Sequence, residues 1–139
     1  MALSILYSTR STNFIAAAGQ TVYQVAWPVL APGDVTVSLY RGSVLTALVP
    51  GTDYTVTGTG SQSGATITLA VGSQAGDVIL IEGHLLPQRQ TSYTSNAAIP
   101  SDALNTDLNA LLIMVQELRR DVDRSFRPLL PSDVVAAIA

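Results

Sequence analysis

Residues 101–125 read SDALNTDLNALLIMVQELRRDVDRS, and one stripe of that segment is apolar from end to end. Leu104, Leu108, Leu111, Val115, Leu118 and Val122 follow at spacings of 4, 3, 4, 3 and 4, with no Gly or Pro between them. This is a heptad seam over about two and a half repeats of an α-helix. Pro100-Ser101-Asp102 predicts the start, because Ser101 can accept from an orphan backbone N–H and Asp102 suits the positive end of the helix dipole. Pro128 and Pro131 cannot continue a helix, so it should stop near Ser125.

Such a seam has two readings. The helix either packs alone on its own sheet or meets copies of itself around an axis. Leu112 and Met114 flank the seam at the e and g positions, and Ile113 sits at f, away from it. A helix apolar on nearly all sides in its middle must be covered on nearly all sides. Burying Ile113 alone is worth roughly 1.5–3 kcal/mol. A sheet plus sister helices supplies that cover, whereas one sheet face does not. Self-association is therefore expected, with Leu104, Leu108, Leu111, Leu112, Val115, Leu118 and Val122 as the interface. Val115 and Val122 at a with leucines at d suit two strands; Leu108 at a and the apolar flanks favour three.

Upstream, from Gly19 to Gly83, the chain is written for β structure. Tyr23, Val25 and Trp27 alternate with small or polar residues, and so do the residues of Val35–Tyr40. Arg41-Gly42-Ser43 reads as a turn into a returning strand at Val44-Leu45, and Pro50-Gly51-Thr52-Asp53 as a second turn, into Tyr54–Thr57. Ala65, Ile67 and Leu69 share a face. Gly76-Asp77 leads into Val78-Ile79-Leu80-Ile81, a continuous apolar run that predicts burial on both sides. Short strands at this spacing predict a small antiparallel β-sandwich of about six strands, mainly β, followed by the long C-terminal helix.

Composition narrows the function. Only 12% of the 139 residues are charged, lysine is absent, and the net charge is −3. A surface so poor in positive charge cannot neutralise a run of phosphates, which argues against nucleic acid. Low charge with high apolar content suggests that other protein covers much of the surface. No stretch approaches the roughly 18 apolar residues of a membrane span. Met1–Tyr7 lacks the basic flank of a signal peptide, and Ser4, Ser8, Thr9 and Arg10 interrupt it. Cysteine is absent, so there are no disulfides and no thiol chemistry.

No catalytic, metal-binding or cofactor-binding set emerges, and the sequence predicts no enzyme. His84, the single histidine, has no nucleophile or further ligands at a useful spacing and reads as a solvated loop residue. Gly58–Gly64 lacks the lysine of a phosphate loop and reads as a hairpin connection. Asp121 and Asp123 with Arg119, Arg120 and Arg124 read as the solvated flank of the helix. Tyr23, Trp27 and Tyr54 could stack on sugars, but their strand periodicity favours the core.

The ordered set Gly19-x-x-x-Tyr23-x-Val25-x-Trp27, Asp34-Val35-Thr36-Val37, Gly51-Thr52-Asp53-Tyr54-Thr55-Val56, Ile67-Thr68-Leu69, Gly76-Asp77-Val78-Ile79-Leu80-Ile81, Arg89 and Leu104-Asn105-x-Asp107-Leu108 resembles the N-terminal tail-attachment domain of short-tailed (podovirus-type) phage tail fibres. The resemblance spans about residues 19–124. It implies a homotrimer in the virion tail, assembled in the host cytoplasm. It further implies docking to a tail adaptor, nozzle or other tail protein, and a receptor-binding shaft carried beyond the helix or on a separate fibre protein. Glu82-Gly83 departs from the basic residue that such domains often carry after the buried strand.

The expected division is an N-terminal arm (1–18), the sandwich (19–88), a connector (89–100), the oligomerisation helix (101–125) and a tail or linker (126–139). The arm could insert into a tail protein through Leu3, Ile5, Leu6, Tyr7, Phe14 and Ile15. The competing reading is a carbohydrate- or receptor-binding sandwich that uses exposed aromatics.

Overall fold

Alternating side chains in the central strands sort into an apolar face and a mixed face, and two sheets meet through the apolar ones. In a computed structural model, which describes residues 3–88, 92–96 and 98–125, the strands are β1 (Ser11–Ile15), β2 (Val22–Gln24), β3 (Val35–Arg41), β4 (Val44–Ala47), β5 (Tyr54–Thr57), β6 (Thr66–Leu69) and β7 (Val78–Gly83). One sheet has the order β1-β7-β3-β4 and the other β2-β6-β5, with every pairing antiparallel. Tyr23, Val25, Trp27, Val35, Val37, Tyr54, Ile67, Ile79 and Ile81 form the shared core. The chain is mainly β with a C-terminal helix, as its periodicities predict.

The buried aromatics also satisfy their polar ends, as they must in a core. Trp27 Nε1 donates to Thr12 Oγ1 at 3.1 Å, and the Tyr23 hydroxyl lies 2.8 Å from Ser73 Oγ. The rings of Phe14 and Tyr23 pack at 5.4 Å, tilted by 57°. Core packing, rather than a sugar platform, is the place of Tyr23, Trp27 and Tyr54. Where Val25 pairs with Ala65, Gly64 lies so close that a Cβ would overlap the Val25 carbonyl.

Three expectations are corrected. First, the sandwich starts before Gly19: Ser11–Ile15 is an edge strand, in register with Glu82–Val78. Its partner lies more than 60 positions away, so no hairpin signal marks it. Second, Val78–Ile81 is buried on one face only. Ile79 and Ile81 point into the core, while Val78 and Leu80 are half-buried. On that outer face Ile15, Val78, Tyr40 and Leu45 are cross-strand partners in one row. Third, Ser101 does not cap the helix. Pro100 occupies the N-cap position, where its carbonyl accepts from Leu104 N at 3.1 Å, and there is no side-chain cap bond.

The helix α1 (Ser101–Arg124) ends where expected. Ser125 N donates to the carbonyls of Asp121 and Val122, and Ser125 Oγ also donates to Val122 O at 2.7 Å. Residues 89–91, Arg89 among them, residue 97 and the segment 126–139 lie outside the described residues.

Candidate functional site, an apolar helical seam

The helix has two stripes with the same spacing and opposite chemistry. Ile113, Glu117, Arg120 and Arg124 follow at 4, 3 and 4 and are turned to the sandwich, with Asn109 and Gln116 beside them. Leu104, Leu108, Leu111, Val115, Leu118 and Val122 lie on the other side. With the flanking Leu112, they are 40–63% exposed, whereas Ile113 is 1% exposed. So the domain itself covers Ile113, and it leaves the seam uncovered.

What fixes this orientation is a buried ionic cluster at the end of the sandwich where β1 begins and β7 ends. Arg10 enters β1 from a left-handed backbone conformation (φ 53°). Its guanidinium is buried, with Nε donating to Glu117 Oε1 at 3.0 Å and Nη1 to the Pro28 carbonyl at 2.8 Å. It stacks over the Trp27 ring at 4.7 Å, a favourable cation–π geometry. Glu117 uses its second oxygen to accept from Leu85 N at 2.7 Å. Burial pulls the Arg10 guanidinium below its ordinary pKa, and the hydrogen bond to Glu117 acts the other way.

Arg120 donates from Nη1 to the Arg10 carbonyl at 2.9 Å and lies 3.6 Å from Glu82. Arg124 reaches Glu82 at 2.7 Å and Ser11 Oγ at 3.0 Å. Arg120 is therefore no solvated flank residue, in contrast to Arg119, which is exposed. Glu82 accepts from Arg124 and forms an ion pair with Arg120. The neighbouring Gly83 has no Cβ because one would overlap Glu117 Oε1 and approach Arg10 Nε at 2.9 Å.

The arm follows the helix. Asn109 Nδ2 donates to Leu3 O and Gln116 Nε2 to Leu6 O, each at 2.8 Å. Seven helical residues rise about 10 Å, which three extended residues also span; the two hydrogen bonds thus lay residues 3–6 along the helix. Gln62, from the loop between β5 and β6, pairs with both backbone groups of Ser4. Among the candidate docking residues, Phe14 packs on the core, and Leu3 and Ile5 are half-buried. Leu6, Tyr7 and Ile15 are exposed.

His84 is exposed, and its backbone N–H donates to Asp34 O at 2.7 Å. Among the described residues no group of three or more His, Asp or Glu side chains could hold a metal, and no helix is long and apolar enough to cross a membrane. The ionic cluster escapes sequence reasoning because each member resembles a surface charge. Its signal is the second 4-3-4 stripe, with charges on the side that carries Ile113.

No protein-family model matches the chain, and no curated protein matches it.

Proposed function

We propose that this chain is a non-enzymatic assembly module of a virus particle, which trimerises through its helix and fastens a receptor-binding fibre to a phage tail. The observation that carries the reading is the exposed seam. Full burial of one of its large apolar side chains is worth about 1.5–3 kcal/mol. At 40–63% exposure roughly half of that is unrealised, and a contiguous patch of this kind marks an interaction surface. A heptad seam is complementary to another copy of itself. The ionic cluster supports the same reading, because it holds the helix against the sandwich with the seam turned outward.

The order of motifs that resembles tail-fibre attachment domains supports three copies and a place in the tail. For the competing carbohydrate-binding reading, Tyr23, Trp27 and Tyr54 lie in the core, and Tyr40, 45% exposed on the outer face, is the sandwich aromatic that could meet a sugar.

Immunogold labelling tests the location. An antibody against this chain should decorate the tail of particles of the virus that encodes it. Particles that carry the protein without label at the tail, or that lack the protein, would contradict the proposal.

A further inference from the structure

The arm and the seam are adjacent on the helix. At 100° per residue, Asn109 and Gln116, which hold the arm, share one stripe. Leu112 lies one turn from each, between that stripe and the seam, and is itself exposed. The arm therefore borders the e flank of the seam. Met114, half-buried at the g flank, lies about 150° around the helix from the arm's stripe. An arm held by Asn109 and Gln116 cannot reach Met114 of its own helix.

Leu6 and Tyr7 are 72% and 75% exposed, although the Leu6 carbonyl is held by Gln116. Both residues follow the arm at the flank of the helix that Leu112 marks, beside the seam. In a parallel bundle the e flank of one helix faces the g flank of the next.

We infer that Leu6 and Tyr7 of one copy pack against Met114 on the helix of the neighbouring copy, making the arm an inter-subunit clasp. This inference rests on the self-association proposed above and adds a second element to it. The occupant is another copy of this chain, since the clasp borders a seam whose spacing fits itself. The contact is heterologous, arm to helix, and such a contact closes into a ring under three-fold symmetry.

The chain has no cysteine, so a two-cysteine variant reports on its own pair alone. The variant carrying Tyr7→Cys and Met114→Cys should, on mild oxidation, give a covalent trimer on a non-reducing denaturing gel. Each single-cysteine variant should give at most a dimer. An intramolecular disulfide, or no cross-link in a variant of native oligomeric mass, overturns the clasp and leaves the seam interface standing. A monomeric wild-type chain overturns both. As a second measurement, Leu6→Ser with Tyr7→Ser should weaken association ~10-fold or more without altering the circular dichroism spectrum. Unchanged association overturns the clasp.

Discussion

Arg10 and Glu117, 107 positions apart, meet at 3.0 Å in a buried pair that joins the arm, the sheet and the helix at one point. The Arg10 backbone is tied to β7 through Gly83 N and to the helix through Arg120. Its side chain is tied to the loop after β2 through Pro28 and Trp27. The helix therefore cannot rotate about its own axis without breaking this cluster, and so the sandwich dictates which stripe faces outward.

Breaking the pair from one side strands a charge in a dry site. Glu117→Gln or Arg10→Met should each cost about 3–5 kcal/mol. Arg10→Met combined with Glu117→Leu should recover much of that, because no uncompensated charge remains. Urea unfolding midpoints check this. Single variants within about 1 kcal/mol of wild type would mean that the pair behaves as a solvated surface bridge.

Gly83→Ala should cost more than the usual effect of an alanine in a strand, since the methyl would displace the Glu117 carboxylate from Arg10. Limited proteolysis should then cut the arm faster, while the core strands stay protected. Cleavage of the arm at the wild-type rate would show that the cluster relaxes around the methyl.

Asp77 supplies a pH dependence. Hydrogen bonds from Arg41 at 2.9 and 2.6 Å, aided by the Gln74 backbone N–H, hold its carboxyl below its ordinary value of 3.8, against the opposing effect of burial. A carboxyl depressed on folding stabilises the native state above its unfolded pKa, and the contribution disappears as pH falls below that value toward the folded one. Burial raises Asp34, which acts in the opposite sense, so the difference between two chains is the proper measure. The melting-temperature gap between wild type and Asp77→Asn should be full above about pH 5 and shrink below about pH 4. A gap that stays constant down to about pH 2 would contradict the assignment.

The two helical stripes should separate in mutagenesis. Ile113→Ala empties a buried site and should cost the subunit about 2–5 kcal/mol. Leu111→Ala, on the exposed stripe, should leave subunit unfolding nearly unchanged and weaken association instead. Chemical denaturation at high dilution, set beside a concentration series of sedimentation runs, distinguishes them. Equal effects of both variants on subunit stability would mean that the seam is packed within the chain.

The helix and its seam are legible because their period is local. Leu104 to Val122 needs no knowledge of the sheet, and Pro128 beyond Ser125 marks the end. The strands from Val35 to Ile81 are legible for the same reason. Ser11–Ile15 is not, since its five residues alternate weakly and its partner is distant in sequence. Arg10, Glu82, Glu117 and Arg120 are illegible one at a time, because a buried pair and a solvated pair have the same composition. Gly83 betrays nothing until the carboxylate that it makes room for is in place.

The most direct test is the mass of the chain in solution, by sedimentation equilibrium at micromolar concentration. One chain weighs 14.6 kDa. Wild type should show three times that mass, and Leu111→Asp, whose substitution faces outward from an intact subunit, should show 14.6 kDa with an unchanged β spectrum. A wild-type chain that remains a well-folded monomer at this concentration would mean that the stripe from Leu104 to Val122 tolerates water, and the account of this protein as a self-assembling module would be wrong.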